Sequence, residues 1–445
     1  MTGSPSRPRQ LAILLGVSLA GGAGAPALES DATAFVGARI VPIDGSEIED
    51  GVLLIRGGQI ESVGPRERVE VPRDARIVRL DGAVVMPGLV DTHSHIGRPA
   101  GADGSAPIQP EVRVLDSIDV LDPSFARARA GGVTTVNVMP GSGHLLSGQT
   151  AYLKLRRGAV IEELAVRGAD GRLLGGMKMA NGTNSRRDPP FPGTRGKSAA
   201  LVRQAFHDAL AYRDRLDDAG DDDPVALDLG KEALLEVLDG ERIVHHHTHR
   251  HDDVATVLRL ADEFGFRVVL HHVSDAALVA EMLAERRVPS SIILVDSPGG
   301  KLEARRISLD NGAALERAGA PVSLHTDDYI TDSRLFLRMA ALAVRAGMSR
   351  EGALRAVTLS GAEMLGLDQR VGSLARGKDA DFVVLSGDPL SVYTKILETW
   401  VEGERVFDRK TDEGRLAAVG GFGAGAPVDP DAAHLGCLGR DGGAR

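Results

Sequence analysis

Between Pro87 and about residue 368, short apolar runs alternate with stretches whose apolar residues recur at three- and four-residue spacing. Runs bounded by turn residues predict buried strands, and the longer recurrence predicts amphipathic helices. The expected strands are the run ending at Asp91, then Val133–Met139, Ala151–Leu155, Gly176–Ala180, Ile243–His247, Arg267–His271, Ser291–Val295 and Pro321–His325. One helix is expected with Asp252 as its N-cap, with Val254, Val257, Leu258, Ala261 and Phe264 on one face and Gly265 ending it. Another should run from Ala199 to Leu216, burying Val202, Phe206, Ala209 and Leu210. Strands and helices alternating in this way over about 280 residues predict an α/β chain built on a (β/α)8 TIM-type barrel. A doubly wound sheet is the alternative, but the glycine-rich phosphate turn it should carry after its first strand is missing.

The flanks read differently. Phe35 to Ile43, Val52 to Ile55, Ile60 to Val63, Arg76 to Leu80 and Ala83 to Met86 are strand-like, with Gly57-Gly58 as a hairpin turn. Beyond Met364 the texture returns in Val383–Leu385, Trp400–Val401 and Arg405–Phe407. A β part at 34–86 and another at 369–410 can therefore pair around a barrel at 87–368. Residues 1–27 combine Arg7 and Arg9, an apolar run from Leu11 to Leu19 and small residues to Ala27, the pattern of an export signal. Such a signal would place the mature protein in the periplasm or outside the cell; without it the protein would be cytoplasmic. The Gly-, Ala- and Pro-rich stretch 411–445 is expected to be a disordered tail.

Composition narrows the functional classes. With 52 Lys and Arg against 62 Asp and Glu, the formal net charge is −10, and no long basic run suggests a nucleic-acid partner. Beyond the N-terminal segment nothing offers the ~20 apolar residues of a membrane span. Cys437 is the single cysteine, which excludes an intramolecular disulfide framework and a cysteine-based zinc knuckle. A small-molecule substrate is the expected partner, with self-association into a homo-oligomer compatible with the sequence. Thirteen histidines, five of them between His245 and His251, are the feature that asks for chemistry.

His93 and His95 follow the first barrel strand, and residues two apart in extended chain point the same way. Barrel sites gather at the C-terminal ends of the strands. His245, His246, His247 and His249 end the fifth strand, His271 and His272 the sixth, and Asp327 and Asp328 follow the eighth. Each histidine alone would be an ordinary hydrogen-bonded core residue, and the tract a solvated metal-binding patch. Four coincidences at matching strand ends favour a metal site of imidazole and carboxylate ligands.

These residues resemble the metal-dependent amidohydrolase superfamily, near its imidazolonepropionase-related and prolidase-like branches, from about Phe35 to Phe407. The resemblance is carried by the segment Met86 to His95, by Gly131-Gly132-Val133-Thr134-Thr135-Val136, by Val371-Gly372-Ser373-Leu374, by Gly377-Lys378-Asp379-Ala380-Asp381 and by Gly387-Asp388-Pro389. It implies a (β/α)8 barrel with a composite β-sandwich from both chain ends. It also implies His93, His95, His272 and Asp327 as metal ligands, with Asp327 as general base and acid. His247 is expected as the fifth-strand ligand, with His249 close behind. Lys178, in Gly176-Met177-Lys178-Met179-Ala180, resembles the lysine that is carboxylated in binuclear relatives, and Lys154 is the alternative. The expected cofactor is one or two divalent ions, zinc first, with manganese, cobalt or iron also suited to such ligands.

The function expected is hydrolysis of a carbon–nitrogen bond in an amide, cyclic amide or dipeptide-like substrate by a metal-activated water. His144, Tyr152, Asn181, Arg186 and His249 are the candidate substrate contacts, since an arginine fork suits a carboxylate. Deamination of a heterocycle with a single metal is the alternative chemistry. A non-catalytic binding protein on the same fold is the other, disfavoured because the ligand types are all present.

Overall fold

The computed structural model describes residues 31–98, 103–220, 224–294 and 301–420. The expected export signal at 1–27 lies outside these residues. The N-terminal part is formed by β1 (Ala32–Ile40), β2 (Ile48–Arg56), β3 (Gln59–Pro65), β4 (Arg76–Arg79) and β5 (Val84–Pro87). Gly57 and Gly58 both adopt positive φ, 56° and 78°, as the two-residue turn between β2 and β3 requires.

Gly88 alone separates β5 from β6 (Leu89–Ser94), where the second architecture begins. It continues through β7 (Val133–Val138), β8 (Leu146–Gln149), β9 (Ala151–Lys154), β10 (Met177–Ala180), β11 (Val244–Thr248), β12 (Val268–His272), β13 (Ser290–Ile292) and β14 (Val322–Leu324). β10 to β14 form successive parallel pairs, and β6 pairs parallel with β7. β14 reaches β6 just past both strand ends, where Asp327 N donates to His93 O at 2.9 Å and His95 N to Asp328 O at 3.0 Å.

The third position departs from the expected pattern. β8 and β9, separated only by Thr150, run as one extended stretch antiparallel to β10 on one side and to β7 on the other. Only residues 139–145 lie between β7 and β8. A parallel return needs a crossover of a dozen or more residues, so this short connection turns the chain back on itself. Hydrophobic runs do not encode strand direction, which is why eight alternating βα units were expected. Because the stretch is reversed, Lys154 lies level with Thr135, near the start of β7, far from the end where the other strands terminate.

Two helices differ in their starts. Asp252 does not cap its helix, which runs His251–Phe264 behind Arg250; its carboxylate instead pairs with the Arg250 guanidinium. Gly265 ends that helix in the left-handed conformation, as expected. The helix expected from Ala199 begins four residues earlier, at Arg195, because the Thr194 side chain accepts from Lys197 N.

The chain then returns to β15 (Phe382–Leu385), β16 (Ile396–Val401) and β17 (Glu404–Asp408). β15 pairs antiparallel with β5, so both flanks build one eight-stranded sheet in the order β17-β16-β15-β5-β1-β2-β3, with β4 on β1. Alternation along β1 and β2 divides their side chains between two clusters: Phe35, Leu53 and Ile55 pack with Phe382 and Trp400, while Ala34, Val36, Val52 and Leu54 pack with Val69. The stretch expected as a tail from 411 opens with a further helix, Asp412–Val419. Thr411 caps it through Gly414 N, and Ala417 is buried. Residues 421–445 lie outside the described part. No helix among the described residues is long and apolar enough to cross a membrane.

Lys154 joins the two architectures. Its ammonium lies 2.8 Å from Asp379, 2.7 Å from Asp381 and 3.5 Å from Glu402, and Arg156 holds the far side of Glu402. Burial opposes the ammonium, but the carboxylates outweigh it and keep the Lys154 pKa above its ordinary value. The Gly377-to-Asp381 segment is thus an ionic socket for a lysine from the wall, and Lys154 is committed there. Lys154→Met strands buried carboxylates and should cost about 3–5 kcal/mol in urea unfolding. Adding Asp381→Leu should recover part of it; an unchanged midpoint in the single variant would remove this joint from the account.

Candidate metal centre

The parallel strands end together, and most of the histidines among the described residues meet at that end. His93 Nε2 lies 3.2 Å and His95 Nε2 3.1 Å from the same oxygen, Asp327 Oδ1. His95 Nδ1 lies 2.8 Å from Met139 O, which fixes its ring. Lys178 Nζ is 3.1 Å from His93 Nε2 and 2.8 Å from Met139 Sδ, with its side chain fully buried. The His272 ring centre is 4.9 Å from that of His93 and 4.3 Å from that of His247. The six residues expected as ligands are therefore one contiguous group.

Asp327 and Asp328 are separated by their partners. Asp328 accepts from Ser333 N at 2.9 Å and from the Ser333 hydroxyl, facing away from the histidines, and burial pushes its pKa up. Asp327 faces them. Burial alone would raise its pKa, but His95, His325 and Lys178 outweigh that and hold the carboxylate below the ordinary range. His272 (φ 74°) and Asp327 (φ 51°) both have left-handed backbone, a conformation that costs non-glycine residues about 1–3 kcal/mol and concentrates at functional sites.

Alternation along β11 sorts the histidine tract. His247 faces His272, and His249 just beyond it is anchored by Ser274 Oγ, 2.7 Å from Nδ1. His245 lies deeper, 3.0 Å from His271 Nε2 and 2.8 Å from Tyr152 Oη. His246 turns to its neighbour's backbone, His247 O. All four are buried, so the tract is an interior feature.

The substrate candidates scatter. Tyr152, on the reversed strand, packs with Val90, Val166, Ala362 and Leu365 beneath the cluster, where burial raises its hydroxyl pKa. The structure does not bring it to Asp327. Asn181 donates to Asp253 O and Arg186 to Gly182 O, both bonds within the surrounding loops. His144 sits against Arg187, 3.2 Å away, and Phe191, over which the Arg187 guanidinium stacks at 3.7 Å. Of the five, His249 lies within the histidine cluster and Tyr152 touches only its deep edge, through His245.

Several residues were not singled out from sequence. His325 directly follows β14, stacks on His93 with ring centres 4.9 Å apart, and lies 3.3 Å from His272 Nδ1 and 2.9 Å from Ser291 Oγ. It was visible as the end of the eighth strand run. Asn184, 3.3 Å from His247 Nε2, and Glu303 come from loops without periodicity. His93 Nδ1, His247 Nδ1, His249 Nε2, His271 Nδ1 and His272 Nε2 are buried without a hydrogen-bond partner. Burial, first of all, drives His93, His247, His271 and His272 well below their ordinary pKa, and His245, His246, His249 and His325 down to about 3. Neutral imidazoles with unused nitrogens around a carboxylate fit a divalent cation.

Comparison with known proteins agrees with this chemistry. Residues 286–407 match the amidohydrolase family model. The amidohydrolase tasK of Hapsidospora irregularis is 30% identical over 431 residues, spanning 87% of this chain; the chain in turn spans 44% of tasK. The imidazolonepropionase of Deinococcus radiodurans is 29% identical over 372 residues, covering 76% of this chain and 86% of that protein. The crystal structure of an amidohydrolase from Thermotoga maritima superposes with a TM-score of 0.79 at 33% identity, covering 85% of this chain and all of the other. This likeness identifies the α/β wall as a fold of the TIM-barrel type. At that identity over the full length of a solved relative, with the histidines and aspartate gathered at one end of the wall, the chain belongs to the amidohydrolase family.

Proposed function

We propose that this protein hydrolyses a carbon–nitrogen bond in an amide, cyclic amide or dipeptide-like substrate, with Asp327 as general base and then general acid. The observation that carries this reading is the single oxygen of Asp327 facing the Nε2 atoms of both His93 and His95 at 3.2 and 3.1 Å. His93, His95 and Asp327 would hold one divalent ion, zinc first. His247 and His272, with a carboxylated Lys178, would hold a second. When bound, such an ion lowers the pKa of a water and polarises a carbonyl. The wall is read as a (β/α)8-derived barrel with its third unit reversed, and the eight-stranded sheet as the family's composite β-sandwich.

The rest follows from the chain's own groups. Held ionised first of all by its hydrogen bond with His95, Asp327 can accept a proton from the attacking water and return it to the leaving nitrogen. The products are then a carboxylic acid and an amine, and the aspartate is regenerated. Neutral imidazoles offer lone pairs to a cation without first losing a proton. Lys178 lies fully buried beside His93 and the Met139 sulfur, and its amine form is the one able to add carbon dioxide, with loss of a proton, to give a carbamate. The same placement also suits an unmodified lysine, which supports a second reading: a deaminase with one ion at His93, His95 and Asp327.

Metal content separates these. Elemental analysis of untagged protein should find about two equivalents per chain, with at least the one at His93, His95 and Asp327 lost in His93→Ala/His95→Ala. One equivalent would favour the deaminase reading, and metal unaffected by the substitution would defeat both. Asp327→Asn should lower kcat about 10²–10⁴-fold on any amide substrate found, as expected when a general acid–base group is removed; a smaller loss would assign proton transfer elsewhere.

The buried histidines also set a pH dependence for the metal-free protein. Their pKa values lie near 6.5 when exposed and at about 3 for four of them when folded. Between those limits the unfolded chain binds more protons, so stability is full above pH 6.5 and falls as the pH drops below it. Each histidine contributes up to about 1.4 kcal/mol per pH unit. Urea unfolding in chelator at pH 7.5 and 5.5 should therefore show a loss of several kcal/mol, and equal stabilities would contradict the burial of neutral imidazoles.

A further inference from the structure

Beside the centre described above lies a second group of acceptors built around Glu303. This residue lies between β13 and β14, in a short helical turn at Leu302–Ala304. Its carboxylate is 2% exposed and crosses to the loop after β10. There Oε2 accepts from Thr183 N at 2.7 Å, Thr183 Oγ1 at 2.6 Å and an Arg195 nitrogen at 3.3 Å. Gly182 makes the crossing possible: a Cβ at that position would sit 2.6 Å from Oε2. One oxygen is thus fixed by three donors.

The other oxygen, Oε1, is buried and has no hydrogen-bond partner. One carboxylate oxygen of Glu303 and one ring nitrogen each of His247 and His249 lie within 4.8 Å of one another. The Ser274 hydroxyl occupies His249 Nδ1, leaving Nε2 turned inward without a partner, and His247 Nδ1 is likewise unpartnered. A metal-bound histidine ordinarily has its second nitrogen held by such a group. Two imidazoles and a carboxylate converge here, with Asn184 on the His247 Nε2 side, and such an arrangement suits a cation between them.

We propose that His247, His249 and Glu303 form a divalent-cation site of their own, next to the His93–His95–Asp327 centre and separable from it. His272 stands between them, its ring centre 4.9 Å from His93 and 4.3 Å from His247. Two imidazole nitrogens and one carboxylate oxygen suit zinc or cobalt, with remaining positions open to water or to a substrate oxygen. The site goes beyond the catalytic reading: it shares His247 with the ligands proposed there for a second ion and would take that residue from them, while His249 and Glu303 belong to neither set.

The test uses the whole chain and cobalt(II), followed by visible absorption during titration and by elemental analysis of the loaded protein. Glu303→Gln keeps the size of the side chain and an acceptor for Thr183 while removing the charge. His249→Gln is the second variant, and melting of the metal-free proteins reports that each is folded. Both should weaken one equivalent by more than the 10–100-fold typical of losing an outer partner of a metal ligand. His93→Ala/His95→Ala should keep the Glu303-dependent ion and its absorption band while losing its own. If Glu303→Gln and His249→Gln both bind the full complement with unchanged affinity, the proposal is overturned, whatever the double variant does. If the double variant loses every ion, the two groups are one centre, and separability is overturned. If instead the double variant keeps all its metal while Glu303→Gln loses an equivalent, the catalytic reading fails and this site stands.

Discussion

Keeping imidazoles uncharged inside a dry volume is the constraint on which the site depends. His93, His245, His246, His247, His249, His271, His272 and His325 are all buried, and each would repel the others and Lys178 if protonated. Desolvation does most of the work, so the cluster is a set of lone-pair donors before anything binds. Serine and backbone contacts then fix which nitrogens face inward: Ser274 on His249, Ser291 on His325, and Met139 O on His95. Short polar residues on the parallel strands belong to the same arrangement. Thr92 reaches Ser291 at 2.6 Å, linking β6 to β13 across the interior beneath the histidines.

The reversed third strand has consequences at both ends of the wall. At the near end, a tight return between β7 and β8 places Met139 against Lys178 and His144 beside Arg187. At the far end it delivers Lys154 into the carboxylates of Asp379 and Asp381, just before β15, and of Glu402, in the turn between β16 and β17. A parallel strand would have carried Lys154 toward the histidines, where it could have competed with Lys178. Strand direction thus assigns the two buried lysines: one faces three carboxylates and stays an ammonium; the other faces a sulfur and an imidazole. Coulomb energy decides the first case, because opposite charges at 2.7–2.8 Å outweigh the loss of hydration.

Much of this was readable in the chain because strand ends are where period and chemistry coincide. The eight apolar runs were located to within a few residues, and His93, His95, His247, His272 and Asp327 were legible because each follows such a run. The pairing of the two flanks was legible from their shared strand texture. What stayed hidden was relational. Nothing in the apolar run Ala151–Leu155 reports its direction, so Tyr152 reads as a candidate pocket contact and lies beneath the cluster. Asp252 resembles a cap but pairs with Arg250, a choice made by the path of the loop. Glu303 has no periodic neighbours, and its relation to Thr183 exists only once two loops meet. The helix Asp412–Val419 was masked by the glycine-rich composition that follows it.

Backbone strain shows where the fold serves the site rather than itself. His272 and Asp327 hold left-handed conformations at strand ends, where glycine would cost nothing. Glycine there would remove the side chains that meet His93. At Asp327 the strain can persist because neighbouring bonds over-determine the position. Asp327 N is tied to His93 O, and Thr326 is held by both oxygens of Asp91, through its backbone N at 3.1 Å and its hydroxyl at 2.5 Å. Asp91, fully buried, has its pKa pushed up to about 7 by desolvation, partly offset by those same bonds. The carboxylate just before the histidine pair therefore acts as a clamp on β14, and it holds Asp327 at the distance from His93 and His95 that a shared cation would need.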